Sequence, residues 1–175
     1  RGLGDVYKRQ VYHTIQATKP YVAFGVSPFG IWTTNTNVAE EEGIPLPSGI
    51  SGGNMYQEIY CDPVAWLKEG TVDYLSPQLY WKIGGAQDYN KLCAWWTDLA
   101  NRFGKQFYSS MALYRYAENN SSNTGYYKNT DEFKNQTLKN RSANYDNAPG
   151  NVFYNTLAWV YDCLLYTSPS PRDGL

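Results

Sequence analysis

Short apolar runs alternate along the chain with stretches that repeat an apolar face every three to four residues, so strands and helices take turns. Residues 21–26 (YVAFGV), after Lys19-Pro20, predict a buried strand. Residues 72–81 (VDYLSPQLYW), 107–114 (FYSSMALY) and 151–155 (NVFYN) predict three more. Between the second and third, Tyr89, Leu92, Cys93, Trp96, Leu99, Ala100 and Phe103 form one apolar helical stripe, with Asp88 as N-cap and Gly104 as the stop. Cys93 falls within that stripe, where packing accounts for it better than chemistry. Asp62-Pro63 ahead of VAWLKE and Gly70 supplies an N-cap, a proline at the first helical position and a closing glycine, hence a short helix. Residues 131–141 predict a further helix anchored by Phe133 and Leu138, and 11–18 the end of an earlier one.

Strands separated by helices predict an α/β fold with a parallel sheet. Alternation inside the strands refines this. Ala23, Gly25 and Ser27 share one face of the first strand, and Val22, Phe24 and Val26 the other. Ser76, Gln78 and Tyr80 oppose Leu75, Pro77 and Leu79; Ser110, Ala112 and Tyr114 oppose Met111 and Leu113. A small or polar inner face with a branched, helix-covered outer face suits a barrel. Pro77 argues against full pairing of its strand.

In such a fold the working face lies at the carboxyl ends of the strands. Ser27 to Trp32, Gln78 to Trp81, Tyr114 to Tyr116 and Asn155 fall there. They supply aromatic rings, hydroxyls and amides, groups that stack on the C–H patches of sugars and hydrogen-bond their hydroxyls. The competing account is that Trp32 and Trp81 pack loops over the barrel mouth. No strand tip carries a carboxylate, although glycoside hydrolysis usually needs two. Asp73 precedes its strand, Asp62 caps a helix, Glu40 to Glu42 form a charge run in a long loop, and Glu118 lies just past the third strand. His13 is the single histidine, so neither a metal cluster nor a Ser/His/Asp triad can be built, and no cofactor is expected.

Composition adds an aromatic excess: 6 Trp, 17 Tyr and 6 Phe in 175 residues. Net charge is −1, too balanced for a nucleic-acid binder, and no apolar run is long enough for a membrane span. The ends are unusual. RGLGDVYKRQ is encoded by CGT GGG CTC GGA GAT GTG TAT AAG AGA CAG, and the reverse complement, read one base in, encodes CLLYTSPSP, which is Cys163 to Pro171. Residues 1–10 and 163–175 are therefore expected to be translated adapter DNA, leaving 11–162 as the natural segment. That segment holds Cys61 and Cys93 and a net charge of −3, and it keeps the aromatic excess.

KPYVAFGVSPFGIW (19–32), YCDPVAWLKEGTVDYLSPQLYW (60–81), LCAWW (92–96) and GNVFYNTL (150–157) resemble the glycosyl hydrolase-like 10 family. The resemblance implies a partial (β/α)8 TIM barrel, strands five to eight with their helices. It also implies a secreted, periplasmic or lipid-anchored parent acting on glycans. The family's acidic motif belongs to strand four and would precede Val11. Family patterns often place Arg after the SPFGIW tryptophan, where this chain has Thr33.

The resulting expectation is a fragment of a glycoside hydrolase acting on polysaccharide or cell-wall glycan, with the acid and the base or nucleophile upstream. Ser27, Phe29, Trp32, Gln78, Tyr80, Trp81 and Tyr114 would line the substrate groove. The partner is an oligo- or polysaccharide, with no nucleic acid. The alternative is a non-catalytic glycan-binding or cell-wall scaffold barrel. Half a barrel leaves strand edges unpaired, so the isolated chain is expected to aggregate and to hydrolyse no glycan.

Overall fold

The computed structural model describes residues 3–121, 125–126, 128–143 and 150–156. Helix α1 (Leu3–Thr18) leads into β1 (Gly25–Val26), then α2 (Thr36–Glu42), α3 (Met55–Glu58) and α4 (Pro63–Glu69). β2 (Tyr74–Leu75) and α5 (Tyr89–Arg102) follow, then β3 (Gln106–Phe107), β4 (Ser109–Ala112), α6 (Thr130–Ala143) and β5 (Asn151–Tyr154). All pairings are parallel: β1 with β2, β2 with β3, and β4 with β5. Bridges from Phe29 to Gln78 and from Gln78 to Ser110 carry the pairing past the ends of β1 and β2. The runs holding β1, β2, β3 with β4, and β5 therefore follow one another in chain order with helix between them, and the fold is α/β with parallel strands.

Regular strand is shorter than the apolar runs predict. Pro77 has no N–H to give, so the 72–81 run is paired only at Tyr74, Leu75 and the single position Gln78. The 107–114 run is interrupted at Tyr108 and turns into a 3-10 helix over Leu113–Tyr116.

Caps set the helices. Asp62 accepts from Ala65 N at 3.2 Å to start α4, and Gly70 ends it at φ 69°, a left-handed conformation that glycine adopts without strain. Asp88 accepts from Asn90 N at 3.1 Å to start α5. Two helices appear where the sequence suggested loop. Asn35 caps α2, which places Glu40 to Glu42 on a helix rather than in an extended charge run, and Glu42 pairs with Lys68. Asn54 caps α3 by accepting from Gln57 N.

The core lies between the sheet and the helices. Leu75, Leu79, Met111 and Leu113, the predicted outer face, are buried with Trp66, Leu92, Trp96 and Phe107. At the opposite end Asp73 accepts from Phe24 N at 2.7 Å and from Tyr12 OH at 3.4 Å, tying α1 to the sheet. α1 runs unbroken across the expected boundary between residues 10 and 11. The expected segment 163–175 lies outside the described residues.

Candidate functional site

Three tyrosines converge beyond the strand ends. Tyr80, past β2, stands 6.2 Å from Tyr114, past β4, and 5.9 Å from Tyr154, the last residue of β5. Tyr80 and Tyr154 are stacked within 24° of parallel, and Tyr114 is edge-on to both. Tyr154 is 51% exposed, so the cluster presents a ring to solvent. Burial raises the Tyr80 hydroxyl above the usual tyrosine range, partly offset by its 3.5 Å contact with Ser110 Oγ; Tyr154 and Tyr114 nearby push the same way as burial. It therefore remains a neutral hydroxyl, able to donate and accept. At the rim Arg115 Nε donates to Tyr114 OH at 3.3 Å, with its guanidinium 5.5 Å from the Tyr126 ring.

Gln78 links this cluster to β1. Its Nε2 donates to Ser27 O at 3.3 Å, and exposed Phe29 pairs beside it. Gly30 lets the next turn close: a Cβ there would sit 2.5 Å from the Trp81 ring and 2.6 Å from Gln78 O. Trp96 Nε1 donates to Gly30 O at 2.9 Å from below. Trp81 is half-buried against the core, and its carbonyl accepts from Gln136 Nε2 at 3.2 Å.

Of the seven predicted groove residues, Ser27, Phe29, Gln78, Tyr80, Trp81 and Tyr114 lie past the strand ends. Trp32 departs from the expectation. It is 1% exposed, its indole N–H donates to Asp62 Oδ1 at 3.1 Å, and it stacks on Trp95. A stacking platform needs a free face, and Trp32 has none open to the strand-end surface, so it packs a loop instead. Two contributors escaped the sequence analysis. The sequence pattern places Tyr154 only within a strand, one residue ahead of the expected tip residue Asn155. Gln136 sits in a polar helix and gives no signal; in three dimensions it is fully buried, its two Nε2 hydrogens shared among Trp81 O, Glu132 Oε1 at 2.7 Å and Tyr126 OH at 3.1 Å.

Among the described residues, no strand tip bears a carboxylate. Asp62 is committed to its cap and to Trp32, and Glu118 is exposed beyond the 3-10 turn. No group of three or more His, Cys, Asp or Glu residues able to hold a metal occurs among them. Burial pushes the Cys61 and Cys93 thiols up to about 11, so neither is a thiolate nucleophile near neutral pH. No described helix is long and apolar enough to cross a membrane.

Parallel strands delivering aromatics, an amide and hydroxyls to one end define the class: an α/β protein with an aromatic strand-end surface. The family model Glycosyl hydrolase-like 10 matches residues 5–128, and the chain belongs to that family. Over 113 residues it is 38% identical to Glycosyl hydrolase YngK of Bacillus subtilis (strain 168), covering 63% of this chain and 21% of that protein. Over 110 residues it is 36% identical to Glycosyl hydrolase DigH of Escherichia coli (strain K12), covering 62% of this chain and 24% of that protein. The chain thus matches about a fifth to a quarter of the length of these relatives.

Proposed function

We propose that the chain is the C-terminal half of a (β/α)8 glycoside hydrolase barrel, strands five to eight, and forms the aromatic wall of a glycan-binding groove. The convergence of Tyr80, Tyr114 and Tyr154 beside Gln78 carries this reading. Tyr154 and Phe29 offer exposed rings to the apolar face of a sugar, while Gln78 and the tyrosine hydroxyls hydrogen-bond its edge. Ser27 and Trp81 complete the wall, and Trp32 supports it from behind. Strand four would supply the acid and the base or nucleophile. The substrate is an oligo- or polysaccharide, and the parent protein is secreted, periplasmic or lipid-anchored.

A second reading, a non-catalytic glycan-binding or scaffold barrel, is favoured by strand tips that carry no carboxylate among the described residues. One experiment separates the two. The chain is joined to its natural upstream sequence, and release of reducing ends from polysaccharides is measured. Turnover that fails when the strand-four carboxylates are changed to amides supports the hydrolase. Saturable binding without turnover supports the scaffold, and neither binding nor turnover overturns both.

A further inference from the structure

On the outer side of α5 a hollow of about 320 Å³ is lined by Ile44, Pro45, Trp95, Asp98, Leu99 and Arg102. None of these residues belongs to the strand-end set of Ser27, Phe29, Gln78, Tyr80, Trp81 and Tyr114. Consecutive residues Trp95 and Trp96 pack edge to face, their ring planes 81° apart, yet take different partners: Trp96 donates to Gly30 O under the strand-end loop, whereas Trp95 Nε1 donates to Pro45 O at 2.6 Å beside the hollow. Trp95 is also stacked on Trp32 at 6.1 Å and 19°, so the ring is fixed before any ligand arrives.

The polar groups are arranged for capture. Asp98 and Arg102 stand four residues apart on α5, the spacing of a helix ion pair. They do not pair. Arg102 Nη1 donates to Gly43 O at 2.9 Å, and no described residue pairs with the exposed Asp98 carboxylate. A fixed indole, an open carboxylate and a guanidinium with spare N–H groups thus line one hollow. Its volume is near the lower end of the roughly 300–1,000 Å³ range of ligand pockets, suited to one sugar unit rather than a long chain.

We infer that this hollow is a second glycan-binding site, separate from the strand-end groove, which holds one sugar unit of a polysaccharide. The sugar's C–H face lies on Trp95, vicinal hydroxyls donate to Asp98, and Arg102 donates to a hydroxyl or ring oxygen. The ligand class rests on the glycan reading above, whereas the position rests on the hollow alone. Such a site tethers polymer to the outside of the barrel while another stretch occupies the groove.

The test uses the whole chain fused to a soluble carrier, with the carrier alone as blank, titrated calorimetrically with cello-, xylo-, malto- and chitohexaose. Tyr80→Ala first silences the groove. In that background at least one hexasaccharide still binds, and adding Asp98→Ala weakens it about tenfold, the loss of a charge-assisted hydrogen bond. Trp95→Phe, which keeps an aromatic ring, weakens binding less, and circular dichroism of each variant confirms the fold. Absence of binding to all four sugars in the Tyr80→Ala chain overturns the site, as does binding indifferent to both Asp98→Ala and Trp95→Phe. The difference between the native and Tyr80→Ala chains reports the groove separately, so either site can fail without the other.

Discussion

Tyr80 and Tyr154 lie ring on ring, centroids 5.9 Å apart and planes 24° from parallel, although they come from different strands. The stack holds the exposed Tyr154 ring at the end of β5. Tyr154→Ala removes both the exposed face and its partner contact. It is expected to weaken glycan binding about tenfold while costing about 0.5–1.5 kcal/mol of stability, the worth of an aromatic pair. Tyr80→Phe keeps the stack and loses the hydroxyl, with its 3.5 Å contact to Ser110 and its proposed hydrogen bond to the sugar, so binding falls by less. Calorimetric titration alongside urea unfolding checks both.

Trp32 yields the opposite pattern. Its ring is buried and its N–H is held by Asp62, so Trp32→Ala is expected to cost about 3–5 kcal/mol of stability. Trp32→Phe loses the indole hydrogen bond and is expected to cost about 1–3 kcal/mol. Any fall in glycan binding should follow the fall in folded fraction. A variant that binds less at unchanged urea midpoint would return Trp32 to the groove.

These two cases show what local pattern can and cannot carry. Alternation along 72–81 and 107–112 assigns Leu75, Leu79 and Met111 to the core and Gln78 and Tyr80 to the other face, because side-chain direction in extended chain depends on parity alone, whereas Leu113 and Tyr114 take their places in a 3-10 turn. Trp32 lies past the strand, where parity no longer applies, and only the turn at Gly30 decides that it points inward. Gln136 is illegible for another reason: a buried glutamine in a helix made mostly of polar residues leaves no apolar signature. Its role is set by Trp81 O and Glu132, groups that reach it from a loop and from the preceding helical turn. α2 was hidden by its acidic run, which reads as solvated until Asn35 and Gly43 are recognised as its two caps.

Gly30 is the tightest point of the strand-end surface. Gly30→Ala would drive a methyl group into the Trp81 ring and Gln78 O, the latter a backbone atom that cannot swing away. Overpacking of this kind costs about 1–3 kcal/mol. Because the displaced atoms belong to Gln78 and Trp81, glycan binding should fall along with stability. Thermal unfolding and titration of the same variant measure the two effects, and a substitution neutral in both contradicts the geometry.

Asp62 gives a pH prediction. Burial raises its carboxyl above the ordinary value of 3.8, against the lowering effects of its hydrogen bonds from Ala65 N and Trp32 Nε1. A carboxyl with a raised folded-state pKa binds more protons folded than unfolded. Its contribution is therefore fully present below 3.8 and is lost as pH rises through the folded-state value. Asp62→Asn keeps an oxygen acceptor and carries no charge, so its stability relative to the native chain should rise across that window. Asp62→Ala should lose about 1 kcal/mol for the cap and about 1–3 kcal/mol for the unpaired indole N–H. Urea midpoints from pH 3 to pH 7, a span of about four units around the carboxylate range, test the sign.

The chain by itself is expected to release no reducing ends from any polysaccharide. Its described strand tips carry no carboxylate, whereas protonating a leaving oxygen and attacking or hydrating the anomeric carbon require two carboxyl groups on opposite sides of the bond. Such a pair stands about 5–5.5 Å apart for retention and roughly 6.5–9.5 Å apart for inversion. Asp62 cannot serve, since its Oδ1 is occupied by Trp32 and Ala65 behind the surface. Burial keeps both described cysteines protonated, which removes the other nucleophiles of comparable strength. Supplying the upstream strand should therefore restore turnover without altering Gln78, Tyr80, Tyr114 or Tyr154. Turnover by the 175-residue chain alone would overturn the proposal that its residues bind glycan without catalysing its cleavage.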